Sequence, residues 1–564
     1  MRRGLLFVAF IVFLLGNIFA QADKYGTITG NFQLDGQIYQ KDNTIGADAP
    51  LEKYLMNSYG NVNYNWGKFS AGLRIEGYLN TKLGFNNPGR KNDGIDMRYR
   101  FIRYNSGLID ITAGSFYEQF GSGLILRSYE EKTLGLDNAL DGFRVVLKPA
   151  KGIVFKGLTG YQRKYFENGK GIVRGFDGEI SVADALELDM PIQITLGGSF
   201  VSKYEDNEHE KYNLPANVGS YAGRININTG KFNLYGEYAE KINDPSSDNN
   251  WIYKKGRAYS SNLTYSTKGF GALFGVQRVD NMSTRSERTA SLNEVMVNFI
   301  PAMSRTHTYS LAAMYPYSSQ PNGEFAFKGE LSYRLPKKSL LGGKYGTMLS
   351  LYYSRIHNID KQYVVGADKE SDLSSWAGTD GYSSDLFSIG DQLFYQELNL
   401  QIEKKISRKF KFQLQYLNQS FNYALIRKGV LDGEVDKAFD DENHTKNGMV
   451  YTNILVADVT YKWSRKFITR FEIQELMTNQ DKKDWVMGLL EMNINRKLFV
   501  TIQDLYNYGT TKNHYPFVSM AYVKGANRIQ LGYGRKKDGY NCANGICVYE
   551  PSSTGFVVSI STTF

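Results

Sequence analysis

Much of this chain alternates apolar and polar residues with a period of two. Between positions 26 and 38, Ile28, Phe32, Leu34 and Ile38 mark one face, with Gly30 and Gly36 among them. Thr27, Thr29, Asn31, Gln33, Asp35 and Gln37 mark the other. Phe325, Phe327, Leu331, Tyr333 and Leu335 alternate in the same way with Lys328, Glu330, Ser332 and Arg334. So do Leu398, Leu400 and Ile402 with Glu397, Asn399, Gln401 and Glu403, and Phe410, Phe412, Leu414 and Tyr416 with Lys409, Lys411, Gln413 and Gln415. Such spacing predicts two-faced strands. The pattern runs to the last residue, where Phe556, Val558, Ile560, Thr562 and Phe564 share a side. A soluble sandwich also alternates, but it does not need closure, nor a charged inner row that only a wet interior tolerates. A transmembrane β-barrel needs both, because lipid permits no open sheet edge.

The connections divide into two alternating classes. Short ones include Trp66-Gly67-Lys68, Thr229-Gly230-Lys231, Ser407-Arg408, Ser464-Arg465, Arg496-Lys497 and Gly525-Ala526-Asn527. Long ones fall near 41–52, 84–95, 119–141, 205–217, 243–256, 357–392, 425–448 and 537–554. Short periplasmic turns and long extracellular loops are the two ends of a bacterial barrel. The expected fold is all-β, a single large antiparallel transmembrane barrel of about 26 strands, with a range of 22–26 set by region 281–325. Because the first strand begins so early, no plug domain is expected before it. The terminal strand 556–564 is expected to pair with 26–38.

Composition changes this picture little. Tyr (41), Phe (33) and Gly (56) are abundant and Pro (12) is sparse, which suits strands, girdles and turns. A mean hydropathy of −0.40 does not exclude a barrel, whose strands are apolar on one face only. Arg2 and Arg3, the apolar run from Leu5 to Leu15, and Ala20 read as a signal peptide over 1–20, with the barrel at 21–564. Without Arg2 and Arg3, Lys and Arg fall from 67 to 65 against 57 acids, a net charge of +8. No basic-aromatic motif accompanies it, so no nucleic-acid partner is expected. The expected location is the bacterial cell outer membrane, and the first partner is outer-membrane lipid.

Cys542 and Cys547 flank Asn544-Gly545, the preferred pair for a tight hairpin turn, and are read as a disulfide. No further metal ligands lie nearby, and neither metal nor cofactor is expected. The histidines (His209, His307, His357, His444 and His514) are scattered. Ser354, His357 and Asp360 form the only local hydrolase-like set, and on a strand they point to different faces, so no enzyme is expected. Gly269-Phe270-Gly271 opens a strand rather than a helix, which argues against a nucleotide loop.

One loop stands apart. Residues 115–144 carry Phe120, Leu124, Ile125, Leu126, Leu134, Leu136 and Leu140 together with Glu118, Glu130, Glu131, Asp137 and Asp141. A loop that apolar should fold back onto the protein. Alternation in the neighbouring strands puts Arg74 and Glu76, Arg98 and Arg100, and Arg144 and Lys148 inside. An acidic infolded loop facing a basic wall could form a selective constriction. It could equally cap the rim with its acids paired to the arginines. The stretch Phe120-Gly121-Ser122-Gly123-Leu124 to Asp141-Gly142, with the Tyr/Phe-rich strands and the terminal Phe, resembles an uncharacterised family of large outer-membrane barrels from Bacteroidota. That resemblance implies an outer-membrane location and brings no substrate or catalytic residues. Two functions follow as expectations. One is a porin-like channel for polar or anionic solutes. The other is a structural or secretion-associated barrel working through outer-membrane or periplasmic protein partners in a complex.

Overall fold

The computed structural model describes residues 25–85, 94–207, 209–290, 293–364, 376–423, 448–543 and 545–564. The signal-peptide reading, His444 and Asn544 lie outside the described residues. Among the described residues, 24 strands form one continuous antiparallel sheet that closes on itself. The count falls within the expected range. It differs from 26 because the described residues of 281–323 contribute no strand to that sheet: the chain leaves the wall after Phe270–Asp280 and rejoins it at Glu324–Leu335.

Closure takes place where the alternation is cleanest. Thr27–Gln40 pairs with Ser553–Thr563, setting Leu34 opposite Ile560 and Ile38 opposite Phe556 on the outer face. Phe564 and Gly30 complete the seam by exchanging two backbone hydrogen bonds of 2.9 Å. All backbone groups of a closed wall find partners within it, which is the condition lipid imposes. The outward rows are apolar and exposed: Leu73, Phe176, Phe274, Leu331, Leu400, Ile502 and Leu531 belong to this belt. Aromatic rings border it. Phe69–Tyr104, Phe232–Tyr265 and Tyr461–Trp463 lie toward the short-turn end, and Phe200–Tyr221 and Tyr533–Phe556 toward the other. No described helix is long and apolar enough to cross a membrane.

Both sheet termini stand at the short-turn end, as an even strand number requires. The two-class reading of the connections holds with exceptions. The strands Ile153–Lys164 and Glu167–Ser181 are joined at the long-loop end by only residues 165–166. At the short-turn end, residues 182–192 include a one-turn helix, Val182–Ala185, and residues 336–346 are similarly long.

Candidate functional site: two loops in the lumen

The inner wall changes character along its length. At the long-loop end, inward side chains are buried on almost every strand. Examples are Gln37, Asn57, Glu76, Phe116, Gln162, Val201, Ala239, Val279, Ile356, Leu417, Trp485 and Tyr515. The described residues of 117–139 and 281–323 cover most of them, while Gln37 donates to Ser553 and Asn57 accepts from the Lys82 amide. Both segments turn into the barrel and fill it from the two sides.

The first loop packs Phe120, Leu124, Ile125 and Leu126, each at most 1% exposed, against Leu158, Val173, Val201, Ala239, Ala258 and Val279 of the wall. Its tip needs Gly121. There φ is +54°, and a Cβ would lie 2.4 Å from the Glu237 carboxylate, to which the Ser122 amide donates at 2.8 Å. The second segment sets Met303, Leu311, Ala312, Met314, Tyr315 and Tyr317 against Ile356, Tyr395, Leu417, Phe421, Ile454, Leu476 and Trp485. The backbone joins the two loops. Arg127 donates to the Val297 carbonyl at 2.9 Å, Phe299 to Gly123 at 3.0 Å, and the Asn138 side chain to Met296 at 2.8 Å.

Polar contacts fix both loops to the wall. Glu130 receives both Arg74 η nitrogens, at 2.8 and 3.0 Å. Asp137 accepts from Arg74 at 3.1 Å and from Arg163 at 2.8 Å, and Arg163 also grips Glu76. Glu118 accepts from Arg144 at 2.6 Å and Lys156 at 3.0 Å. Burial pushes the Glu130 carboxyl above its usual range, with Arg74 opposing the shift. In the second segment, His307 meets Glu397 at 2.7 Å, Tyr309 donates to Asp458 at 3.2 Å, and Gln474 accepts from the Leu311 amide at 2.8 Å. Where the first loop meets the wall, a crevice of about 60 Å³ remains, lined by Tyr78, Glu130, Lys132, Arg163 and Glu294 among others.

The residues singled out in the sequence thus divide. Arg74, Glu76, Arg144, Glu118, Glu130 and Asp137 come together, acid loop to basic wall. Glu131 instead accepts from the hydroxyl of its neighbour Thr133 at 2.6 Å. Arg100 faces out rather than in. A β-bulge between Arg74 and Glu76 shifts the phase of the strand Gly94–Asn105, so that Tyr99 lies under the Arg74 guanidinium and Arg100 pairs beside Leu73. There it meets Asp141, which shares the outer face with Phe143, at 3.4 Å. Arg98 pairs with Asp96 at 3.1 Å, not with the loop. A second bulge, between Leu147 and Ala150, leaves Lys148 exposed near the short-turn end. Ser354 is inward and buried, while His357 bonds the Gly390 carbonyl outside. The sequence reading missed Lys156, which alternation from Leu158 places inside, and Arg163, which alternation places with Tyr161 on the outer face but which turns inward to Glu76 at the strand end, beside a register irregularity. It also missed the second segment, whose signal is a run of Met, Ala and Tyr without period two.

The short-turn half of the lumen is different. Inward Asn31, Asn63, Asn233, Glu330, Arg334, Lys411, Gln413 and Gln530 are half-buried or exposed. The barrel is therefore a cup, packed at the long-loop end and wet at the other.

A family model described as a family of unknown function, DUF6029, matches residues 1–564. The chain belongs to this family. Comparison with curated proteins returns no match. Among solved structures, the chain is similar to the P pilus usher (PapC) translocation pore, with 9% identity and a TM-score of 0.46 over 95% of this chain and 99% of that one. It is also similar to the siderophore receptor PirA from Pseudomonas aeruginosa (10%, 0.39, 95% and 80%) and to the outer membrane protein opdK from the same organism (8%, 0.34, 95% and 97%). Likeness at this level is one of general barrel form and says nothing of cargo.

Proposed function

We propose that the protein is an outer-membrane barrel held shut at its extracellular, long-loop end, which works through protein partners. The observation that carries this reading is the burial of inward residues on almost every strand beneath residues 117–139 and 281–323. A porin open at all times would need those rows wet. The apolar outer belt and its aromatic borders support the membrane location, and the short turns then face the periplasm. The polar cup offers that side a concave surface for a periplasmic partner or an emerging cargo. A porin-like role for polar or anionic solutes is the second reading, favoured by the charged cup wall with Arg103, Asp110, Lys156 and Arg470. It requires the loops to move first.

Affinity purification from native membranes, followed by mass spectrometry, tests the choice. Stoichiometric outer-membrane or periplasmic subunits are the expected result. A protein that purifies alone and passes solutes into liposomes at a steady rate would favour the porin.

A further inference from the structure

The hairpin at 539–550, with its disulfide between Cys542 and Cys547, touches both lumen loops at once. Gly545, at the turn, has φ +87°, and its carbonyl accepts the Ser319 amide at 3.0 Å and the Ser318 hydroxyl at 3.1 Å. Next to it, Ile546 is buried with Leu134 and Leu136 of the first loop and Phe299 of the second. Asn541 donates to the Thr133 carbonyl at 3.3 Å, and Asn293 donates to the Cys547 carbonyl at 3.4 Å. Each arm of the hairpin has only five residues, and a two-stranded ribbon of that size is marginal in water. The disulfide joins the arms at the turn, and so presents the Gly545 carbonyl and the Ile546 side chain in one fixed arrangement. Both cysteines are half-buried at the rim rather than sealed in the core.

We propose that this hairpin is a redox-sensitive clasp that keeps the two lumen loops together, and that reducing its disulfide unlocks the lumen. The inference rests on the closed-barrel reading above. The chemistry is thiol–disulfide exchange with an external dithiol. One thiolate of the dithiol attacks a cysteine sulfur, the Cys542–Cys547 bond breaks, and a mixed disulfide forms. The second thiol then resolves it. The dithiol leaves as a cyclic disulfide, and its two protons end on the two cysteine thiols. The freed arms can splay, and Ile546 and the Gly545 carbonyl no longer bind both loops together.

The test uses the full chain in planar lipid bilayers, with dithiothreitol as the probe. Oxidised wild type should be quiet, and reduction should raise the frequency of open events by about tenfold or more. Cys542→Ser/Cys547→Ser should be leaky from the start and indifferent to dithiothreitol. Gly545→Ala, with its disulfide intact, should leak without reductant, since a Cβ there would lie 2.5 Å from the Ser319 hydroxyl and 3.1 Å from Ala302. Heat-modifiable migration of each protein checks that the barrel is folded. If reduced wild type is folded, has both thiols titrated by a maleimide, and stays as quiet as the oxidised form, the clasp is overturned while the closed barrel stands. Steady conduction by the oxidised wild type would overturn both.

Discussion

The two ends of the inner wall are built from the same strands yet obey different chemistry. In Phe410–Asn422 the inward row reads Lys411, Gln413, Gln415, Leu417, Gln419 and Phe421. Lys411 is exposed, whereas Leu417 and Phe421 are at most 1% exposed. The outward row does the reverse, apolar through Phe410, Phe412, Leu414 and Tyr416 and polar at Asn418, Ser420 and Asn422. The inner row therefore records what lies against it, water at the short-turn end and residues 303–317 at the other. A lumen plugged by its own loops shows itself as apolar residues entering a row that should be polar.

That contrast can be broken outright. Replacing residues 303–317 with a Gly/Ser linker removes the partner of Ile356, Leu417, Phe421 and Trp485. Conductance should rise by more than about tenfold while the barrel stays folded, since the closed state loses its stabilising contacts. Single residues sharpen it. Trp485→Ala should cost about 3–5 kcal/mol of local stability, read as faster hydrogen exchange in 303–317, because Trp485 is fully buried there. The inward but half-buried Phe499, on the strand Leu498–Asn507, should cost clearly less when made Ala. Arg163→Gln leaves Glu76 and Asp137 buried with Arg74 as their remaining cation, for a loss of about 3 kcal/mol that loosens the first loop. Converting Glu76 to Gln in the same protein should recover part of it.

The smallest effect concerns Asp42, in the first long loop. Burial pushes its carboxyl up, but Arg535 and Thr554 outweigh burial and hold it below its usual value. Asp42→Asn should cost about 1 kcal/mol or less at neutral pH. A depressed folded value means that this stabilisation is present above the unfolded value of 3.8 and lost as pH falls through the folded one. Melting curves of wild type and Asp42→Asn should therefore converge in strong acid.

Closure, strand direction and the disulfide were legible in the sequence because each depends on local pattern: period two, alternating loop lengths, and two cysteines around a turn. The infolding of 117–139 was legible from its apolar residues. Arg100 was misplaced because a β-bulge flips every later side chain, and nothing in Met97-Arg98 announces one. Residues 281–323 read as doubtful strands since their apolar groups pack against a distant wall, which leaves no periodic trace along the chain. Their polar anchors are equally non-local: Glu397 finds His307, and Asp458 finds Tyr309, only once the barrel has closed.

Single-channel recording of the oxidised wild-type protein, reconstituted alone in a planar bilayer, tests the central claim most directly. A lumen packed by both loops predicts a closed baseline with rare brief openings. A large, steady conductance from folded protein would contradict it.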